Sequence, residues 1–241
     1  RKVLSFVLVL AMILGSVSAA FAASYSDVKS TDSYAPAVSL LSDLGVISGY
    51  SDGTFKAEND ITRAEFCAMI IRALGLSVNG QSATKFSDVA ADYWASGYIA
   101  LAESLGITAG YTDGTFRPKN NITMNEAIAM TIRALGYSGA DLVGTYPTAY
   151  INFAKGNGIL KTLGVGTEKA NRGYVAQLIY NAKDTETLLG YDAKGNALYG
   201  DTILGRLLGK KDDTIIVKGD EDATINMMNY QGAYVVTYIN K

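Results

Sequence analysis

The sequence predicts a mainly α-helical fold built from helix–loop–helix repeats that share a core, followed by a small β-rich C-terminal segment. Three observations carry this. Shifted by 61 residues, the stretch from Ser26 to Leu76 overlays the stretch after it without a gap, so the chain repeats itself. Within each copy, apolar residues recur at helical spacing in two separate runs. From about Asp192 that pattern gives way to turn residues and short runs of β-branched and aromatic residues.

Composition bounds the chemistry. Of the 241 residues, 49% are hydrophobic and 18% charged, which suits one or two globular domains with a proper core. The formal net charge of −2 gives no general attraction to nucleic acid or anionic membrane, so any anion site is local. There is no His, which excludes His-based triads, His-ligated metals and imidazole acid–base catalysis. Cys67 is the single cysteine and lies inside an apolar helical run, where a buried inert thiol is expected. No catalytic constellation, metal site or cofactor site is visible, and a non-enzyme is expected.

The chain opens with Arg1 and Lys2, an apolar run from Val3 to Leu14, and a small-residue stretch ending in Ala20-Phe21-Ala22. That is the pattern of a secretory signal peptide over residues 1–22; a retained anchor is the alternative. No later segment is long and apolar enough to span a bilayer.

The first repeat occupies residues 24–80. Its opening helix is expected from about Tyr34 to Leu44, with Pro36 in the first turn, a stripe of Val38, Leu41 and Leu44, and Gly45 past the end. Asp52-Gly53 marks a tight turn, and Phe55 is placed to fold inward. The second helix starts at Ile61-Thr62-Arg63-Ala64-Glu65-Phe66 and runs to about Leu74. Thr62 is its N-cap, Glu65 completes a capping box, and Ile61 and Phe66 form a hydrophobic staple. Arg63 is the odd residue. A cation in the first turn faces the positive end of the helix dipole, so an anionic visitor beside free helix N–H groups is one reading, with a plain cap or solvated charge as the other.

The second repeat, 84–140, matches residue for residue: Gly49-Tyr50-x-Asp52-Gly53-Thr54-Phe55 against Gly110-Tyr111-x-Asp113-Gly114-Thr115-Phe116, and Arg72-Ala73-Leu74-Gly75 against Arg133-Ala134-Leu135-Gly136. Trp94 opens its first helix; burial against a shared core is expected there, with stacking on a sugar as the alternative. A third, degenerate repeat covers 141–190. Tyr150, Ile151, Ala154, Gly158 and Ile159 follow Tyr98, Ile99, Ala102, Gly106 and Ile107 at a constant spacing, and Asn171-Arg172-Gly173-Tyr174 stands where the Thr-Arg-Ala-Glu start would be. An isolated helix pair of this kind cannot bury its apolar faces, so neighbouring copies must share a core. Asp52 and Asp113 lack the alternating oxygen ligands of a calcium loop and are expected to be turn residues. Asp27 and Asp88 are expected at first-turn or cap positions, with a bond to a sugar hydroxyl as the alternative. The segment 191–241 is expected to hold strands at Thr214–Lys218, Ala223–Met228 and Ala233–Ile239, and to begin a further domain beyond Lys241.

On Phe86-Ser87-Asp88-Val89, Trp94-Ala95, Leu105-Gly106-Ile107, the Gly110-Tyr111-x-Asp113-Gly114-x-Phe116-x-Pro118 turn and Ile61 to Phe66, the unit resembles the S-layer homology domain of bacterial surface proteins. The resemblance implies a pseudo-threefold bundle of three repeats with grooves between neighbours. It further implies that the grooves hold secondary cell-wall polysaccharide, often pyruvylated and attached to peptidoglycan, with the motif arginine meeting the pyruvyl carboxylate. Carried over copy by copy, the arginine is kept as Arg63 and Arg172 and is lost at Met124, so two grooves are expected to bind and the third to be weak or structural. Candidate ligand-binding residues are therefore Arg63, Arg172, Thr62 and Glu65. Gly49 and Tyr50 join them on the preceding loop, although turn chemistry and core packing also account for those two. The function implied is non-covalent anchoring of an exported protein at the cell wall or S-layer surface, with other S-layer subunits as further partners and neither nucleic acid nor membrane. The alternatives are an anchored extracellular enzyme, such as a glycan hydrolase, with its catalytic part beyond Lys241, or a subunit of the S-layer lattice.

Overall fold

The computed structural model describes residues 25–207, together with the backbone of two short strands at 214–216 and 235–237. The expected signal peptide and the strand expected at Ala223–Met228 lie outside the described residues. Three helix pairs come first: α1 (Ala35–Asp43) with α2 (Arg63–Ala73), α3 (Ser96–Ser104) with α4 (Met124–Ala134), and α5 (Thr148–Gly156) with α6 (Arg172–Ala182). A hairpin of β1 (Glu186–Tyr191) and β2 (Ala197–Thr202) follows, then a short helix α7 (Ile203–Leu207). The strands β3 (Thr214–Ile216) and β4 (Val235–Thr237) pair in parallel, with Thr214 opposite Val235.

Local signals set the helix boundaries. Pro36 sits in the first turn of α1, where a missing N–H costs nothing, and Gly45 ends the helix at φ +70°. Thr62 and Thr123 cap α2 and α4 through complete capping boxes with Glu65 and Glu126. Asn171 does the same for α6 with its side-chain oxygen alone, accepting from the Tyr174 N–H at 2.8 Å. The second helix of each pair is buried on nearly every side: Phe66, Cys67, Met69, Ile70 and Ile71 are all core residues, as are Ile128, Met130 and Ile132. The first helices bury far fewer of their residues.

The pairs close into a ring. Helix α2 packs on α3, α4 on α5, and α6 on α1, so each second helix holds the first helix of the next pair. Three backbone hydrogen bonds run round the centre: Ile122 N–H donates to Ile61 O (2.9 Å), Ala170 N–H to Ile122 O (2.8 Å), and Ile61 N–H to Ala170 O (3.2 Å). All three residues are fully buried. A second triplet ties each second helix to a neighbouring loop, from Arg63, Met124 and Arg172 N–H to Asn120, Glu168 and Asn59 O, each at 2.9 Å. A third joins Ala64, Asn125 and Gly173 N–H to Pro118, Gly166 and Ala57 O. These are the amides that a helix start leaves without intrahelical partners. Supplying them across the interface makes no helix pair complete without its neighbour. It also removes the free N–H groups that an anion beside Arg63 or Arg172 would have used.

Two loop carboxylates have a different role from the one expected. Asp27 accepts from the Phe55 and Lys56 N–H groups, and Asp88 from those of Phe116 and Arg117, all at 2.7 Å. They are not caps. They pin the start of each repeat to the far side of its own loop, where Lys56 and Arg117 adopt positive φ. Desolvation works against the Asp27 carboxylate, but the two amides outweigh it and hold its pKa below the ordinary value. Asp52 and Asp113 are turn residues as expected: each accepts from the N–H and hydroxyl of the Thr two residues on, and each has a pKa lowered to about 2 chiefly by that hydroxyl.

The hairpin was not foreseen. Strand β1 begins at Glu186, inside the stretch assigned to the third repeat, and β2 ends at Thr202. Its two leucines, Leu188 and Leu189, are too short a run to declare a strand. What fixes them is distant: the Leu188 N–H donates to Leu135 O at the end of α4 (2.8 Å), and a side chain at Gly136 would collide with Leu188 O.

Candidate functional site

The loop-plus-helix of one repeat, the motif residue of the previous repeat, and the first-helix start of the next one meet at each interface. Two of these interfaces form clefts. The first, about 160 Å³, is bounded by Arg172, Ser48, Glu65, Ala68, Arg72 and Trp94. The second, about 260 Å³, has the matching set: Arg63, Ala109, Glu126, Ala129, Arg133 and Tyr146.

The two motif arginines are held alike but neutralised differently. Arg63 Nε donates to Phe116 O (2.9 Å) and Arg172 Nε to Phe55 O (2.8 Å). Each guanidinium also lies over the aromatic rings of the loop it enters, Arg63 over Tyr111 and Phe116, Arg172 over Tyr50 and Phe55, at 4.5–5.0 Å. Arg63, however, is 4% exposed, and its Nη1 pairs with Glu126 Oε1 at 2.7 Å. The same oxygen accepts from Tyr111 OH at 2.8 Å, while Glu126 Oε2 completes the cap of α4. The pKa of Glu126 is lowered: burial opposes ionisation, but the Thr123 amide, the Arg63 charge and the Tyr111 hydroxyl prevail. Arg172 meets no acid within ion-pairing distance among the described residues. Its second nitrogen donates to Ser48 O at 2.7 Å.

The remaining sequence candidates fall into place around these. Thr62 and Glu65 form the capping box of α2, with Glu65 Oε2 2.8 Å from both Thr62 N and Oγ1, and Glu65 also lines the Arg172 cleft. Gly49 faces inward. A side chain there would run into the Tyr25 ring and Thr54 O, so the glycine permits a close backbone approach. Tyr50 is exposed and does not line the Arg172 cleft, but both Lys56 and Arg172 lie over its ring, at 4.4 and 5.0 Å. Trp94, expected to be buried, is 50% exposed and stands on the wall of the Arg172 cleft. The reason is local: α3 begins two residues later, and Ala95, Ser96 and Gly97 are the small residues that take the core side, leaving Trp94 turned outward. Tyr146 holds the matching position beside Arg63 and is 52% exposed.

Sequence reasoning overlooked a second arginine in each cleft. Arg72 donates to Tyr98 OH (3.2 Å) and Arg133 to Tyr150 OH (3.1 Å), each also lying over that ring. Neither has an acid within ion-pairing distance among the described residues. The signal was present, since both belong to the repeated Arg-Ala-Leu-Gly string, but it reads as a helix end with a cation favouring the dipole.

At the third interface every one of these positions has changed. Met124 replaces the motif arginine, Tyr174 the box glutamate, Gln177 the cleft alanine, and Asn181 the second arginine; Ser33 stands in place of Trp94 and Tyr146. Gln177 Nε2 donates to Asn181 Oδ1 at 2.7 Å, and Gln177 Oε1 has no partner. Cys67 is fully buried and its thiol is pushed up to about 12 by desolvation. Among the described residues no cluster of acids and thiols is arranged to hold a metal ion, and no helix is long and apolar enough to cross a membrane.

The S-layer homology domain family model matches residues 24–67 and 85–127. The chain is similar to the middle cell wall protein of Brevibacillus brevis, at 31% identity over 76% of this chain and 18% of that protein. It is also similar to a cellulosome-anchoring protein of Acetivibrio thermocellus, at 35% identity over 41% of this chain and 23% of the relative. An endoglucanase from a Bacillus species is 38% identical over 47% of this chain and 12% of that enzyme. The chain thus spans less than a quarter of each of these relatives.

Proposed function

The chain carries S-layer homology domains at residues 24–67 and 85–127, and from that premise we propose that it is a non-catalytic anchor. It holds an exported protein at the bacterial cell surface by gripping secondary cell-wall polysaccharide in the clefts between its repeats. The third helix pair, Thr148–Gly156 with Arg172–Ala182, acts as a third repeat of the same kind, because it closes the ring and supplies Arg172 to the first cleft. The ligand is an acidic glycan, its carboxylates of the pyruvyl type.

One observation carries this reading: two related clefts each combine an arginine that has no acid within ion-pairing distance among the described residues with an exposed aromatic ring. An arginine–carboxylate contact is worth roughly 1.5–3 kcal/mol when charge-assisted. An indole or phenol ring supplies the flat apolar face on which a sugar ring stacks. In the first cleft Arg172 and Arg72 share the carboxylate and Trp94 the sugar. In the second, Arg133 is the available cation and Tyr146 the ring, while Arg63 is spent on Glu126 and shapes the wall. Thr62, Glu65 and Gly49 position these groups, and Tyr50 supports Arg172 from beneath its guanidinium. The names of the relatives, a cell wall protein and a cellulosome-anchoring protein, point to the same surface.

The test is co-sedimentation with purified native walls and with walls stripped of secondary polymer. Pelleting with native walls alone is expected; equal pelleting with both overturns the reading. The endoglucanase relative supports a second arrangement, in which the anchor carries a catalytic domain. Glycan hydrolysis by the full-length gene product, absent from residues 25–207 alone, would establish it.

A further inference from the structure

A third cleft, larger than either of these, lies elsewhere. It encloses about 600 Å³ between the end of α4, the 136–141 loop and the hairpin strand β1. That volume lies within the range of small-molecule sites, about 300–1,000 Å³. It joins the Arg63 cleft: Arg133 and Ala109 line both. Its far wall is tied shut by a strap, in which Tyr191 OH donates to Asp141 Oδ1 at 2.7 Å and Asp141 Oδ2 accepts from Ser138 N–H and Oγ. Tyr191 is 44% exposed, and Tyr137, packed at a tilt of 46° on Phe153 with ring centroids 4.3 Å apart, is half-buried.

We propose that this cleft is an extended saccharide subsite, which takes the next sugar units of the acidic glycan whose carboxylate sits on Arg133; this rests on the wall-anchor reading above. The walls mix aliphatic side chains, among them Leu74, Ile107 and Leu188, with Arg133, Asp141 and three tyrosines, the amphipathic combination that the apolar face and the hydroxyls of a sugar ring would both use. A cation stands at the junction, where a charged substituent passes from one cleft to the other. Tyrosine rings beyond it offer both a stacking face and a hydroxyl. The hairpin builds the outer wall, so an element outside the three helix pairs lengthens the polymer track on one side of the ring only. The Arg172 cleft has no such neighbour among its lining residues, and the two clefts are therefore unequal: one reads a short segment of polymer, the other a longer one.

Gly139 allows a clean test. It lines the cleft, is exposed, and a side-chain β-carbon there meets nothing closer than Tyr150 OH at 3.6 Å. Gly139→Trp should plug the space without straining the backbone. The measurement is calorimetric titration of residues 25–241 with wall polysaccharide fragments, from one repeating unit upward. Wild type should gain affinity with fragment length. Gly139→Trp and Tyr191→Ala, checked for native thermal unfolding, should bind a single unit as wild type does and lose roughly tenfold on long fragments, about the scale of one lost good contact. If either well-folded variant binds long fragments as tightly as wild type, the subsite does not exist, while the wall-anchor reading stands. If wild type binds no fragment of any length, both fall together.

Discussion

Arg63 is buried with three commitments: the Phe116 carbonyl, the Glu126 carboxylate and two aromatic rings. Breaking a largely buried pair by removing one partner strands the other. Arg63→Ala should therefore cost about 3 kcal/mol of stability in urea unfolding, and any loss of wall binding in that variant must be read against its fold. Glu126 makes the pair sensitive to acid. Because its pKa is lowered in the folded chain, the stabilisation is complete above the ordinary value of 4.5 and is lost as pH falls below it toward the folded value. Melting temperature should drop on acidification from about pH 5 to about pH 3, and drop less steeply in Glu126→Gln. Arg172 has no such acid partner, so Arg172→Ala strands no buried charge and should destabilise less than Arg63→Ala while weakening binding of long wall polysaccharide about tenfold; unchanged affinity would remove it from the binding surface. Cys67, fully buried with its thiol raised to about 12, should react with a thiol reagent only at the rate of unfolding.

At the scale of elements, the second helix of each repeat does two jobs at its first turn. It caps itself through Thr or Asn, and it takes carbonyls from the neighbouring loop. Thr123→Ala removes one side of a box whose glutamate also holds Arg63. It should cost about 1 kcal/mol, the usual worth of a cap, and should loosen the Arg63 pair without touching the Arg172 cleft. The contrast with Met124 is informative. Gln177 and Asn181 bond to each other where the other interfaces keep an alanine and an arginine. Met124→Ala should leave wall binding unchanged. Met124→Arg alone should not create a third binding cleft, because the cleft alanine and the second arginine remain absent.

For the molecule as a whole, the ring of backbone bonds through Ile61, Ile122 and Ala170 makes stability a shared property. A fragment ending at Gly139 leaves Ile61 N–H and Ile122 O without partners and the outer face of α4 uncovered. It should fail to show a cooperative melt, whereas residues 25–207 should show one. On the proposed reading, two clefts on one polymer would act together through effective concentration. Disabling both, with Arg72→Ala and Arg133→Ala combined, should reduce wall retention by far more than either change alone. Equal losses would mean that only one cleft is engaged at a time.

The repeats, the helix boundaries, the capping boxes and the Asp-Gly turns are legible in the sequence because each depends on residues within a few positions of one another. Trp94 shows where that ends: its helical neighbourhood is readable, but whether a ring turns inward depends on which of Ala95, Ser96 and Gly97 the next layer accepts. The hairpin at Glu186–Thr202 depends on a carbonyl at Leu135, and the charge state of the clefts on whether Glu126 reaches Arg63. Local periodicity thus determined what the pieces are. Only the closure of the ring decided which motif arginine is neutralised and which is left without an acid partner among the described residues, because a net charge in a cleft is set by partners that the chain brings together from sixty residues away.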